Sequence, residues 1–184
     1  MLLQALMELT VERGYAGITV RDITERAMVN RSTFYRHYLD KDDLLEKYMD
    51  EVFAQVAIPV EPASQPAEPD PDGVPIGLLR LIEHLQTHSD FYRVMLSEKG
   101  DPAFTERFRK NSEKRYRYLI SLWGKQPGPD DPPVELRLSY VSHAGLGAFW
   151  WWLDNDQPCT PEQLARWVSR LGLASVGILG MQRE

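Results

Sequence analysis

The sequence predicts an all-α protein, and three observations carry that expectation. Apolar residues recur at intervals of three and four along most of the chain, the spacing that gathers side chains on one helical face. No convincing strand pattern competes with it. The segments are bounded by helix punctuation, with capping residues such as Thr19 and Asp40 before a run and Gly14 or clustered prolines after one.

Leu2, Leu6 and Leu9 set a first helix that Gly14 stops. Thr19 stands where a hydroxyl caps a second, short helix, with Asp22 as its acidic first-turn residue and Val20, Ile23 and Ala27 as its inner face. After Met28 and Val29 a third segment begins, capped by Asn30 or Ser32, in which Phe34 and Tyr38 share the inner face. Asp40 precedes a fourth helix marked by Leu44, Leu45, Tyr48, Val52 and Val56. The run IPVEPASQPAEPDPDGVPIG then carries six prolines and four acids, a density that no regular helix survives. It divides the chain into an N-terminal unit at 1–57, a Pro-rich acidic linker at 58–77 and a helical unit at 78–184. Leu78 to His88, Phe91 to Glu98 and Pro102 to Trp123 read as helices, and KQPGPDDPP makes a second break. Two long apolar patterns close the chain, one through Leu138, Val141, Gly145, Ala148 and Trp152, the other through Leu164, Trp167, Leu171, Ala174, Ile178 and Met181.

The bulk numbers fit an ordinary globular chain. Of 184 residues, 43% are hydrophobic and 26% charged, enough for a real core and too ordinary for a disordered or fibrous class. No run approaches the roughly 18 apolar residues of a membrane span, and MLLQALMELTVERG lacks the basic leader of a signal peptide. A lone cysteine, Cys159, has no internal disulfide partner, so a cytoplasmic setting is expected.

The net charge of −6 argues against general coating of nucleic acid. Local charge says otherwise between Arg13 and Lys41, where Arg13, Arg21, Arg26, Arg31, Arg36 and Lys41 outnumber Asp22, Glu25 and Asp40. The major groove admits one helix, and a helix-turn-helix places its second helix there while the first rests on the backbone. Phe34 and Tyr38 anchor such a helix inward and leave Arg31, Ser32, Thr33 and Tyr35 for bases and phosphates, with Arg36 and His37 on its flank. Lys41 lies at the start of the fourth helix, where a phosphate is favoured, and Arg21 reaches a guanine edge or the backbone.

The stretch GITVRDITERAMVNRSTFYRHYLDKDDLL resembles the DNA-binding motif of the TetR family of bacterial transcriptional regulators. The resemblance implies that Thr33 and Tyr35 contact DNA, that His37 and Lys41 hold phosphates, and that Thr19 and Arg21 act at the entry of the second helix. Phe34, Tyr38, Ile23 and Ala27 are then structural. Two departures stand out. Met28 occupies a turn position where the family often has glycine, at a cost of about 1 kcal/mol if the backbone there is left-handed. The family also usually has a basic stretch ahead of the first helix, whereas this sequence starts almost inside that helix; either a natural extension is lacking here, or the phosphate grip on that side is weaker.

Alternating three-and-four spacing in the last two patterns reads as a seam between subunits, because a palindrome-reading protein needs a twofold partner. Leu138, Val141, Gly145, Ala148, Trp152, Leu164, Trp167, Leu171, Ala174 and Ile178 are its expected residues. Gly145, Gly147, Gly172, Gly177 and Gly180 would let backbones approach. FYRVMLSEKGDPAF and AFWWWLDNDQPCTPEQLA are similar to the C-terminal domain of a subgroup of the same family, whose members typically dimerise through their last helices and hold a small effector that releases the operator. Phe91, Tyr92, Phe108, Tyr116, Trp123, His143, Trp150 and Trp151 are the expected ligand wall, although such aromatics are more often plain core.

His84 and His88 stand four apart, but without further ligands they read as a solvated or hydrogen-bonded pair, so no metal or other cofactor is expected. Cys159 has no flanking cation to activate it. No nucleophile elbow, phosphate-cradling loop or catalytic carboxylate pair is present, and no enzyme is expected. The expectation is a homodimeric, effector-released repressor of a near-palindromic duplex operator, not bound to a membrane. The competing expectation is an interaction protein whose C-terminal half binds another protein, distinguished by a solid core in place of a cavity.

Overall fold

A computed structural model describes residues 1–56, 73–98, 100–124 and 128–178. Among the described residues there are nine helices and no strand: α1 (Leu2–Arg13), α2 (Val20–Arg26), α3 (Arg31–Tyr35), α4 (Lys41–Val56), α5 (Ile76–Thr87), α6 (Ser89–Met95), α7 (Pro102–Trp123), α8 (Val134–Asp154) and α9 (Pro161–Ser175).

The N-terminal unit forms where the capping chemistry says it should. Gly14 takes φ 79° and ends α1 with its N–H on Thr10 O at 2.9 Å, a conformation that a Cβ would oppose. Thr19 caps α2 in a reciprocal box: Asp22 N–H donates to the Thr19 hydroxyl, and the Asp22 carboxylate accepts from Thr19 N–H at 2.8 Å. Asp40 does the same service for α4, its Oδ1 accepting from Asp43 N–H at 2.8 Å. Ala5, Leu6, Leu9, Ile18, Ile23, Phe34, Leu44 and Leu45 close the small core among these helices.

That core does not stop at the linker. One continuous apolar cluster runs from Ala5 on α1 through Tyr48 and Val52 on α4 to Phe91, Phe104, Phe149 and Val168. α1 packs on α6 and α4 on α5, and Arg107 of α7 pairs with Glu46 and, at 3.4 Å, with Asp50 on α4. A second cluster, around Tyr116, Leu138, Val141, Leu173 and Val176, closes the far end of α7, α8 and α9.

Three sequence expectations change. The sequence puts the linker at 58–77, but α5 already begins at Ile76, because Pro75 at φ −65° presets the entry to the helix. The proline run itself, up to residue 72, lies outside the described residues. The last helix stops at Ser175 instead of continuing towards Met181. Gly177 takes φ 75°, its N–H reaches Ala174 O and that of Ile178 reaches Leu173 O, the paired bonds of a left-handed C-cap. Met181 and Gly180 are outside the described residues.

The third concerns the expected subunit seam. Leu138, Val141, Trp152, Leu164 and Ile178 are buried within the chain itself, and Gly145 and Ala148 are half-buried. A side chain already covered by its own subunit has no apolar area left to give a partner. The large apolar residues of these helices that face outward are Leu136, Tyr140, Trp150 and Trp151 on α8, and Trp167 and Leu171 on α9, with the small Ala174 also exposed. The glycines also divide: a Cβ on Gly172 would overlap the Tyr116 hydroxyl of the same chain, while Gly145 and Gly147 face open space.

Candidate nucleic-acid interface and effector cavity

α2, the turn Ala27–Asn30 and α3 form a helix-turn-helix whose turn is closed by backbone hydrogen bonds. Met28 takes φ 54°, Met28 N–H donates to Glu25 O at 3.2 Å, and Val29 N–H to Thr24 O at 2.9 Å. The Met28 side chain is left 92% exposed. Phe34 pins α3 to the core from within, ring to ring with Tyr38 at 5.5 Å, and is fully buried. Tyr35, the next residue, points the other way and is 57% exposed.

Ion pairing sorts the cations of this unit. Arg26 is a clamp to α1, holding Glu12 at 2.7 Å and Glu8 at 3.3 Å, and this pairing depresses the pKa of Glu12. Arg13 holds Asp22 at 3.2 Å, and Arg21 holds Glu25 at 2.6 Å in an exposed pair that a phosphate can exchange with. Arg31 and Arg36 form no ion pair among the described residues, and both are exposed, on either side of Tyr35. Arg36 donates to Thr33 Oγ1 at 3.1 Å. Ser32 and His37 are exposed as well. The arrangement presents an aromatic hydroxyl between two uncompensated guanidiniums on a helix end, which suits base edges flanked by phosphates.

Two residues assigned to DNA also carry structural duties. The Thr19 hydroxyl is engaged with Asp22 in the cap. Lys41 Nζ donates to Tyr15 O at 2.9 Å and Ala16 O at 3.3 Å, and stands 4.4 Å above the Tyr15 ring. Tyr15 in turn donates to Asp42 at 2.5 Å, and burial first, then that carboxylate, pushes its pKa up. Lys41 therefore ties the loop after α1 to the start of α4, and any phosphate it meets competes with two carbonyls.

A cavity of about 310 Å³ lies among α4, α5, α7, α8 and α9. Phe53, Leu81, Phe108, Tyr116, Leu146 and Phe149 supply its apolar wall, and Asn111, Ser112 and Arg115 supply polar atoms from α7. Of the expected ligand wall, the cavity includes Phe108 and Tyr116. Phe91 and Tyr92 instead fill the core between α1, α4 and α6, and Trp123 packs on the second cluster. His143 is exposed, with Nδ1 2.7 Å from Ser139 O, and Trp150 and Trp151 face outward. Aromatic content alone could not separate wall from core. The missed residue with a readable signal is Arg115, four residues after Asn111 on one helical face, though in RKNSEKRYRY it passes for a solvated charge.

The cavity adjoins the contact between α4 and α5. Tyr48 of α4 bonds His84 Nε2 at 2.7 Å, and the His84 and His88 rings are 4.8 Å apart. Burial, then the neighbouring His88, pulls His84 down to about 4, so it is neutral at physiological pH. His84 is thus hydrogen-bonded within an aromatic cluster that includes the His88 ring, and among the described residues no three metal-ligating side chains gather.

The sequence model for bacterial regulatory proteins of the tetR family matches residues 2–48, and that for a transcriptional regulator C-terminal region matches 74–172. The chain is 28% identical over 164 residues to an uncharacterised HTH-type transcriptional regulator, YxbF, of Bacillus subtilis, covering 89% of this chain and 41% of that protein. It is 26% identical over 145 residues to the HTH-type transcriptional repressor KstR2 of Mycolicibacterium smegmatis, covering 76% and 70%. A TetR transcriptional regulator from Streptococcus agalactiae superposes with a TM-score of 0.65 at 26% identity, over 93% of this chain and 90% of the other. The dihydroxyacetone kinase operon activator DhaS superposes at 0.63 with 22% identity, over 96% and 94%, a likeness of fold.

Proposed function

The chain belongs to the TetR family of transcriptional regulators, and from that premise we propose that it is a homodimeric repressor released from its operator by a small effector. The observation that carries the DNA-binding part is Tyr35, exposed on α3 between Arg31 and Arg36, neither of which holds a carboxylate among the described residues. Duplex DNA supplies the missing anions. Two such helices, one per subunit, enter successive major grooves of a near-palindromic site. The repressor sign is supported by the name of KstR2, while DhaS, an activator, shares the fold. The work belongs in the cytoplasm, where the DNA is.

Dimerisation uses the outward face of α8 and α9. Tyr140, Ala144, Gly147 and Trp151 recur at four, three and four residues on α8, and Trp167, Leu171 and Ala174 do so on α9. An exposed aromatic stripe of this length on a helix pair suits a second copy.

The cavity supports an effector over a protein partner, because its polar atoms face an apolar space of ligand size. Phe53 belongs to α4, which also carries Tyr48 on the junction and Lys41 beside the DNA-binding unit, so a molecule against Phe53 bears on the helix that sets α3. A coupling of about 3 kcal/mol lowers operator affinity roughly 150-fold. The test is selection of bound fragments from genomic DNA, followed by gel shifts on the selected duplex with Tyr35→Ala. Loss of binding in a normally folded variant supports the reading, and unchanged affinity sinks it.

A further inference from the structure

We propose that the cavity takes a carboxylate on a compact apolar body, with Arg115 receiving the charge. This rests on the reading of the cavity as an effector site. Arg115 sits in the middle of α7 and lines the cavity. Its Nε is shut off from solvent without a hydrogen-bond partner, and no hydrogen bond or ion pair holds the guanidinium among the described residues.

The other arginines of the same helix show how unusual that is. Arg109 holds Glu106 and Glu113, Arg107 holds Glu46 and Asp50, and Arg117 holds Glu135 at 2.8 Å. The remaining shielded guanidiniums are anchored on carbonyls, Arg93 on Leu153 O at 2.6 Å and Arg137 on Val176 O at 3.1 Å. Arg115 has neither kind of anchor. A guanidinium cannot shed its proton, and one whose Nε is sealed without a partner, in a cavity wall shared with Phe108 and Tyr116, gains from an arriving anion. Its planar fork matches a carboxylate in two parallel hydrogen bonds. Asn111 and Ser112, one turn earlier, offer further polar contacts, and Phe53, Leu81 and Phe149 take the apolar body. The volume, about 310 Å³, is at the small end for drug-sized ligands, which limits the body to a ring and a short chain.

Calorimetry with three probes of one body tests this: phenylbutyrate, phenylbutanol and phenylbutylamine. The carboxylate is expected to bind at least about ten-fold more tightly than the alcohol, with no detectable binding of the amine. Arg115→Gln removes that preference and leaves the alcohol's affinity unchanged, and Arg115→Lys, which keeps the charge without the fork, retains part of it. The ligand-free Arg115→Gln protein melts no lower than the parent, since it has lost an uncompensated charge. Equal binding of alcohol and carboxylate, a preference that survives Arg115→Gln, or no binding of any probe overturns the proposal. If phenylbutyrate binds through Arg115 yet leaves the operator gel shift unchanged, the anion site stands and the effector reading falls.

Discussion

Met28 shows how much a single residue can reveal about the DNA-binding turn. It sits at φ 54° with its side chain in solvent, a conformation that favours glycine. Met28→Gly is expected to stabilise the unit by about 1 kcal/mol, raising the melting temperature with operator affinity unchanged; a fall in melting temperature would contradict the left-handed turn. Neighbouring Phe34 and Tyr35 separate fold from function in the same way. Phe34→Ala empties a fully buried site and costs about 3–5 kcal/mol, whereas Tyr35→Ala leaves the melt intact and weakens the complex with DNA. Lys41→Ala is expected to do both, because its ammonium braces Tyr15 O and Ala16 O. Tyr35, Phe34 and the capping pair Thr19 and Asp22 were legible in the sequence because caps and short-range periodicity are local. The brace made by Lys41 joins residues 26 apart in the chain, and no local pattern records it.

Among the elements, α4 runs from the DNA-binding unit to the cavity, with Lys41 at its start, Tyr48 midway and Phe53 near its end. The Tyr48–His84 bond spans the junction, and its histidine is held below its unfolded value, at about 4 against 6.5. A lowered histidine pKa means the unfolded chain binds the proton first, so stability present above about pH 6.5 is lost as pH falls towards 4. Thermal melts across that range are expected to drop more steeply in the parent than in His84→Gln; parallel curves would remove His84 from the account. α8 marks the limit of sequence reading at this scale. LRLSYVSHAGLGAFWWWL is apolar nearly all round, so periodicity identifies the helix without fixing which face turns inward. The burial of Leu138 and Trp152, with Tyr140 and Trp151 outside, depends on where α7 and α9 pack against it.

At the level of the whole molecule, the proposed dimer rests on that outward face. Leu171 is 69% exposed and bears little of the chain's own core, so Leu171→Glu is expected to convert the dimer to a monomer in sedimentation while the melt changes little. A dimer that survives the substitution would place the interface elsewhere. The acidic whole and the basic α3 end also belong together in the proposed function: an overall charge of −6 disfavours indiscriminate binding, and Arg31 and Arg36 offer local attraction to DNA on α3.

The most direct test is the salt dependence of binding to the selected duplex, followed by fluorescence anisotropy for the parent, Arg31→Ala and Arg36→Ala. Each substitution is expected to weaken binding and to lower the slope of log K against log salt by about 1. Unchanged affinities and slopes in both variants would mean that this end of α3 does not touch DNA.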